Sequence, residues 1–179
     1  MRGILRIAST WNGDPARVDE QVELALETLP DGDLVIRVRA PFHQDPAPPA
    51  GPGPTDRLWE FEVVELFLAG PAAGPPEQPR HPYLEVELGP HGHHLALRFL
   101  GVRNPVERAL AIACRAEIHG ASWEAEVRVA AACLPPRPWS ANAFAMHGRG
   151  AARRYLAATP LPGARPDFHQ PDRFPPLPL

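Results

Sequence analysis

The sequence predicts an all-β fold, a sandwich or a barrel, on two observations. Short runs with period-two alternation of apolar and polar residues recur along the 179 residues. Clusters of Gly, Pro and Asp separate them, which is turn chemistry rather than the long connections of βαβ units.

The first run, Met1 to Thr10, is short, apolar and strand-like, with arginines inside it. Residues 14–29 fit two patterns. Val18, Val22, Ala25, Leu26 and Leu29 make a helical stripe that Asp14-Pro15 could open, whereas Val22, Leu24 and Leu26 alternate as a strand. Periodicity alone leaves that segment open. Leu34 to Ala40 places Leu34, Ile36 and Val38 on one face and Val35, Arg37 and Arg39 on the other, as a half-buried strand requires. Val63 to Leu68, Tyr83 to Leu88, His94 to Leu100, Ala111 to Ile118, Trp123 to Val129, Asn142 to His147 and Arg153 to Ala157 read the same way. The turns between them fall at Asp31-Gly32, Gly89-Pro90 with Gly92, Gly101, Gly120 and Gly148.

Two proline-punctuated stretches, Pro41 to Arg57 and Pro71 to Pro82, lack the backbone donors a ladder needs and read as surface loops. The tail from Pro160 to Leu179 carries seven prolines, which excludes regular structure and leaves it to wrap the domain.

A length of 179 residues, with 44% hydrophobic and 22% charged residues, fits one globular domain with one core. Net charge is −3, so the chain lacks the basic face that a phosphate backbone demands, and nucleic acid is not expected as a partner. All 18 basic residues are arginine, which in an Ala- and Pro-rich chain reads as nucleotide-composition bias. Cys114 and Cys133 stand apart, with neither a disulfide framework nor a cysteine zinc site, so a reducing compartment is expected. The first residues lack the apolar block of a secretory signal, and no stretch reaches the roughly 20 apolar residues of a membrane span. A cytoplasmic location away from the membrane is the expectation.

Several segments in one order carry a resemblance. They are ArgAlaProPhe (Arg39 to Phe42), LeuTrpGluPheGluValValGluLeuPheLeu (Leu58 to Leu68), TyrLeuGluValGluLeuGlyProHisGlyHisHis (Tyr83 to His94) and AsnAlaPheAlaMetHisGly (Asn142 to Gly148), with ArgArgTyrLeuAla (Arg153 to Ala157) and ProAspPheHis (Pro166 to His169) completing the set. From about Trp11 to Phe174 the chain resembles the uncharacterised DOMON-like proteins, grouped with family-nine-like carbohydrate-binding modules. The resemblance implies an antiparallel, jelly-roll-like β-sandwich with a concave face or rim for ligands, and makes residues 14–29 strand. It implies no particular ligand. Sugar-binding members of the wider group sandwich a ring between tryptophans, and haem-binding members use Met and His. Neither set maps onto this chain.

Alternation singles out one face. Val64, Leu66 and Leu68 point one way and Glu65 and Phe67 the other, while Leu84, Val86 and Leu88 turn inward and Tyr83, Glu85 and Glu87 outward. Reading Leu95, Leu97 and Phe99 as core puts Arg98 opposite them. If these strands are neighbours, Glu65, Tyr83, Glu85, Glu87 and Arg98 line one polar face able to hydrogen-bond hydroxyls. The same pairs would also serve to solvate an exposed sheet.

Among the tryptophans, Trp123 alternates with Ala125 and Val127 as core, and Trp59, after the proline-rich loop, is the stacking candidate at the rim. His147 ends a strand near Arg154 and Tyr155, which makes it a rim candidate. Asp167, beside His169, reads as a latch accepting from an arginine or a backbone amide. His91, His93 and His94 read as a hairpin connection rather than a metal site.

The expected function is binding of a small polar ligand such as a soluble sugar or sugar-like metabolite, with no cofactor, no metal and no catalytic residues assigned. The alternatives are a hydrolytic or metal-dependent enzyme using Glu65, Glu85 and a histidine, and a protein-interaction domain. The motifs of the common hydrolases and phosphate loops are absent.

Overall fold

The structure, a computed structural model, describes residues 1–75 and 79–179. Among these residues the first strands are β1 (Arg2–Ile7), β2 (Ser9–Thr10), β3 (Val22–Thr28), β4 (Leu34–Pro41) and β5 (Gly53–Pro54). Then come β6 (Val63–Ala69), β7 (Pro82–Leu88), β8 (His93–Leu100) and β9 (Pro105–Glu107). The last are β10 (Ala113–His119), β11 (Ser122–Val129), β12 (Trp139–His147), β13 (Arg154–Ala157) and β14 (Pro176–Leu177). Helical structure among the described residues is limited to short 3₁₀ turns.

Five strands form one antiparallel sheet in the order β1-β3-β4-β11-β10. The other sheet runs β2-β13-β12-β6-β7-β8-β5, with β14 added to β12 and β9 to β8. Its pairings are antiparallel except for β5 against β8. Leu24, Ile36, Trp123 and Val127 of the first sheet share a core with Val64, Leu66, Val86 and Ala143 of the second. The chain is an all-β, antiparallel sandwich.

What covers the outer faces differs. The five-stranded sheet is wet outside, so β11 alternates buried Trp123, Ala125, Val127 and Val129 with exposed Glu124, Glu126 and Arg128. Arg37 there donates to Glu126 and Glu27, and Arg39 to Glu124. Such exposed pairs contribute ~0.2–1 kcal/mol each.

The second sheet is buried on both faces at its centre, over β12, β6 and β7, and every residue of β6 is buried. Its outer side holds Phe67, Tyr83, Phe99 and Phe144, capped by Leu58, Leu161, Phe168 and Phe174. Phe168 stacks on Phe144 at 3.9 Å between ring centres. Three of those four caps, Leu161, Phe168 and Phe174, come from residues 160–179. The tail departs from the sequence reading in one respect: Pro176 and Leu177 pair with Ser140 and Trp139 as a short edge strand. Proline is tolerated at an edge because a ladder bond is not needed on its free side.

Residues 14–29 divide between the two patterns. Val18–Glu20 is a 3₁₀ turn and Val22–Thr28 a strand with Val22, Leu24 and Leu26 buried, while Val18 stays exposed. The Pro41 to Arg57 loop holds the short strand β5. Of the Pro71 to Pro82 loop, residues 76–78 lie outside the described residues.

One expectation is reversed. In the register of β7 with β8, Arg98 stands opposite Leu84, and Leu97 opposite Glu85. Leu95, Leu97 and Phe99 therefore lie on the outer, tail-covered side, and Ala96 takes the inner face. Both faces of β8 are buried, so apolar alternation marks a covered face without saying which one.

Asn142 shows how the tail side is tied to the sheet. Fully buried on β12, it donates to the Thr159 carbonyl at 2.8 Å and accepts from the Thr159 amide at 3.0 Å. Asn142→Ala orphans both groups, so a loss of about 1–3 kcal/mol is expected in urea unfolding. A loss under ~0.5 kcal/mol would show that water replaces the amide.

Candidate functional site

Three carboxylates converge on the covered face of the second sheet. Glu65 on β6 stands directly opposite Glu87 on β7, and Glu85 lies two residues along β7, facing the same side. One oxygen from each lies within 4.8 Å of the others. The residues are 2%, 3% and 0% exposed for Glu65, Glu85 and Glu87, values rare for carboxylates. Neither oxygen of Glu87, nor Oε2 of Glu85, has a hydrogen-bond partner. The Trp59 amide approaches Glu87 without completing an aligned bond.

The electrostatics follow from burial. Loss of water pushes the Glu85 carboxyl up to about 8, with the Arg103 guanidinium pulling the other way. Burial, then the charges of Glu87 and Glu85, push Glu65 well above the usual carboxylate range, against the pull of Arg153. Glu87 is raised by burial and then by Glu85.

The tail supplies the wall beside Glu85. His169 Nε2 lies 4.0 Å from Glu85 Oε2, and its Nδ1 is 2.8 Å from the Tyr83 hydroxyl. That hydroxyl also accepts from the Arg103 amide at 3.0 Å. Burial, and then Arg103, lower His169 to about 4, so the ring is neutral at pH 7. Asp167 is the latch its position suggested. It takes both Arg103 terminal nitrogens, at 2.9 and 3.2 Å, and accepts from the His169 amide at 3.1 Å.

Trp59 sits above this cluster in the 3₁₀ turn Leu58–Glu60, entered through Arg57 in the left-handed region at φ 58°. Leu58 is fully buried and Trp59 is 42% exposed, the one exposed Trp, Tyr or Phe among the described residues. Arg153 holds the turn from behind, donating to the Trp59 and Phe61 carbonyls at 2.6 and 2.8 Å. Arg57 and Glu60 pair with each other across the same turn.

The structure thus brings Glu65, Tyr83, Glu85 and Glu87 onto one face, with Trp59 over it, but that face is covered rather than open. Arg98 is not part of it: it lies on the opposite side of β8, donating to the Ala132 carbonyl at 3.2 Å and pairing with Glu107. His147 belongs to another cluster, because it ends β12, beyond Phe144, which is the residue opposite Glu65.

That second cluster centres on Glu20, which is fully buried and for which the sequence held no signal. Arg154 Nε and Nη2 reach Glu20 at 2.7 and 3.1 Å, Arg17 adds its side chain and amide at 3.0 Å each, and His147 Nε2 lies 3.2 Å away. Burial would raise Glu20, but the Arg154 and Arg17 hydrogen bonds and charges outweigh it and hold the carboxyl at about 2. Burial, then His43 stacked on it at 3.5 Å, lowers His147 to about 4. Gly148 closes the corner at φ +76°, where an added Cβ would fall 2.4 Å from the Ala152 carbonyl oxygen. Its amide donates to Asp45 at 2.6 Å. This network is almost fully paired and braces the sandwich end.

No family model matches the chain. Among solved structures, a candidate carbohydrate-binding protein from Bacteroides uniformis shares the fold at TM-score 0.69 and 15% identity, over 96% of this chain and 84% of that one. The mouse UPF0462 protein C4orf33 homolog is 37% identical over 180 residues, covering 96% of this chain and 89% of its own length. A zebrafish homolog of the same name is 37% identical over 177 residues, covering 94% and 85%. With that identity sustained across nearly its whole length, the chain belongs to the UPF0462 family.

Proposed function

We propose that the chain is a small-ligand-binding β-sandwich module of DOMON-like type, acting in the cytoplasm on a soluble sugar or sugar-like metabolite. The observation that carries this reading is Trp59. An indole exposed to water on a turn that Arg153 holds rigid from behind is a platform already ordered for stacking, with little conformational freedom left to lose. Arg57 and Glu60 across the same turn supply donors and acceptors for ring hydroxyls. The fold neighbour from Bacteroides uniformis is described as a candidate carbohydrate-binding protein, which makes soluble sugars the first ligands to screen.

Tryptophan fluorescence of the purified protein, titrated with soluble mono- and oligosaccharides and sugar phosphates, tests the proposal. A saturable change is expected with at least one class. Trp59→Ala is expected to weaken that binding about tenfold or more, as a hot-spot truncation does, and to leave the melting midpoint within a few degrees. Binding undiminished in Trp59→Ala would move the site elsewhere, and silence across the panel would end the sugar reading.

A further inference from the structure

We propose that Glu65, Glu85 and Glu87 form a binding site for one divalent cation of calcium size, between the second sheet and its covering tail. Acidic residues that merely gather on a surface keep their water. These do not, and Glu87 is the distinguishing residue: it is fully buried, points into the cluster and has no hydrogen-bond partner on either oxygen. A buried polar atom left unpaired is costly, and ionised carboxylates crowded together in the interior are costlier still. Something must neutralise them, either protons or a cation.

The spacing suits an ion. Three oxygens within 4.8 Å of one another have a centre no more than about 2.8 Å from each, against about 2.3–2.6 Å for calcium–oxygen contacts and 2.0–2.1 Å for magnesium. Calcium needs only a slight contraction of the triangle, whereas magnesium needs a larger one and a regular octahedron. Three glutamates can offer up to six oxygens if each turns bidentate, which approaches the six to eight that calcium takes. An all-oxygen set also disfavours zinc and copper, which prefer imidazole and thiolate. His169 does not alter that: its Nδ1 is engaged with Tyr83, and the donor atoms that lie within 4.8 Å of one another come from the three glutamates alone.

Charge balance points the same way. A divalent ion leaves one net negative charge among the three carboxylates, and the Arg153 and Arg103 guanidiniums lie near enough to act on Glu65 and Glu85 respectively. The same ion would hold β6 and β7 under the Trp59 turn and the His169 segment, a structural role unrelated to which ligand meets the indole.

Elemental analysis and thermal melts of the full chain test the site. Protein as isolated is analysed by mass spectrometry for bound metal. It is then stripped with EDTA, moved to metal-free buffer at pH 8, and melted with chlorides of calcium, manganese, magnesium or zinc. Calcium is expected to bind one per chain by calorimetry and to raise the midpoint by about 5–11 °C at a hundred times its dissociation constant. Magnesium should give a smaller rise. Glu87→Gln keeps the shape while removing a ligand and a buried charge. It is expected to melt no lower than the metal-free wild type at pH 8 and to lose the calcium shift. Glu126→Gln, on the wet face of the other sheet, should keep it. No bound metal together with no shift from any of the four cations would overturn the site and leave protons as its neutralising species. A calcium shift preserved in Glu87→Gln would overturn the assignment of its ligands.

Discussion

Glu20→Gln is expected to destabilise the protein by about 3 kcal/mol, lowering the melting midpoint on the order of 10 °C. Holding a carboxyl at about 2 against a usual 4.5 corresponds to roughly 3 kcal/mol at 1.36 kcal/mol per pH unit. Breaking a buried pair by removing one member costs about 3–5 kcal/mol. Here the lower end applies, because Arg154 and Arg17 are 36% and 61% exposed and can turn to water when Glu20 is lost. Since the folded value lies below the unfolded one, the contribution is present above pH ~4.5 and disappears as pH falls through about 2. Urea unfolding of Glu20→Gln at pH 7 and pH 3 checks both parts. The deficit should shrink at pH 3, and a deficit under ~1 kcal/mol at pH 7 would show that the network adds little net stability.

How much of this was legible in the sequence depended on what covers each sheet face. Where one face is wet, alternation reports the core directly: Leu34, Ile36 and Val38 on β4 and Trp123 on β11 are buried as their spacing demands. The second sheet has no wet face over β6 and β7, so its glutamates read as a solvated or ligand-facing row. Their shared side followed correctly from period two, but their burial could not, because the tail beside them is distant in the chain: His169 is 86 residues from its partner Tyr83. The same double burial misplaced Arg98, because Ala96 on its side of β8 is buried just as Leu95 and Leu97 are on the other. Glu20 was beyond reach for another reason: its partner Arg154 is 134 residues distant, and no local pattern links them.

In metal-free buffer, stability is expected to fall as pH rises from 6.5 to 8.5, by about 2 kcal/mol from Glu85 alone, with Glu65 and Glu87 acting in the same direction. The sign follows from carboxyls raised in the folded state. A raised acid favours the folded protein while it holds its proton, so its contribution is full below the unfolded value of 4.5 and is lost as pH climbs through about 8. The groups facing the cluster are Arg153, Arg103, His169, Tyr83 and Asp56. Burial raises the Tyr83 phenol beyond this window. His169 and His147, both lowered to about 4, penalise the folded state only below the unfolded histidine value of 6.5. Glu20 acts only at lower pH still, so within the chosen interval the three buried carboxylates dominate the slope. Melting midpoints with EDTA at half-unit steps would measure it, and Glu85→Gln should flatten the curve by removing one of the titrating acids. A flat wild-type profile would mean that the cluster already keeps its charges compensated without protons, and that the burial seen here admits water when the carboxylates ionise.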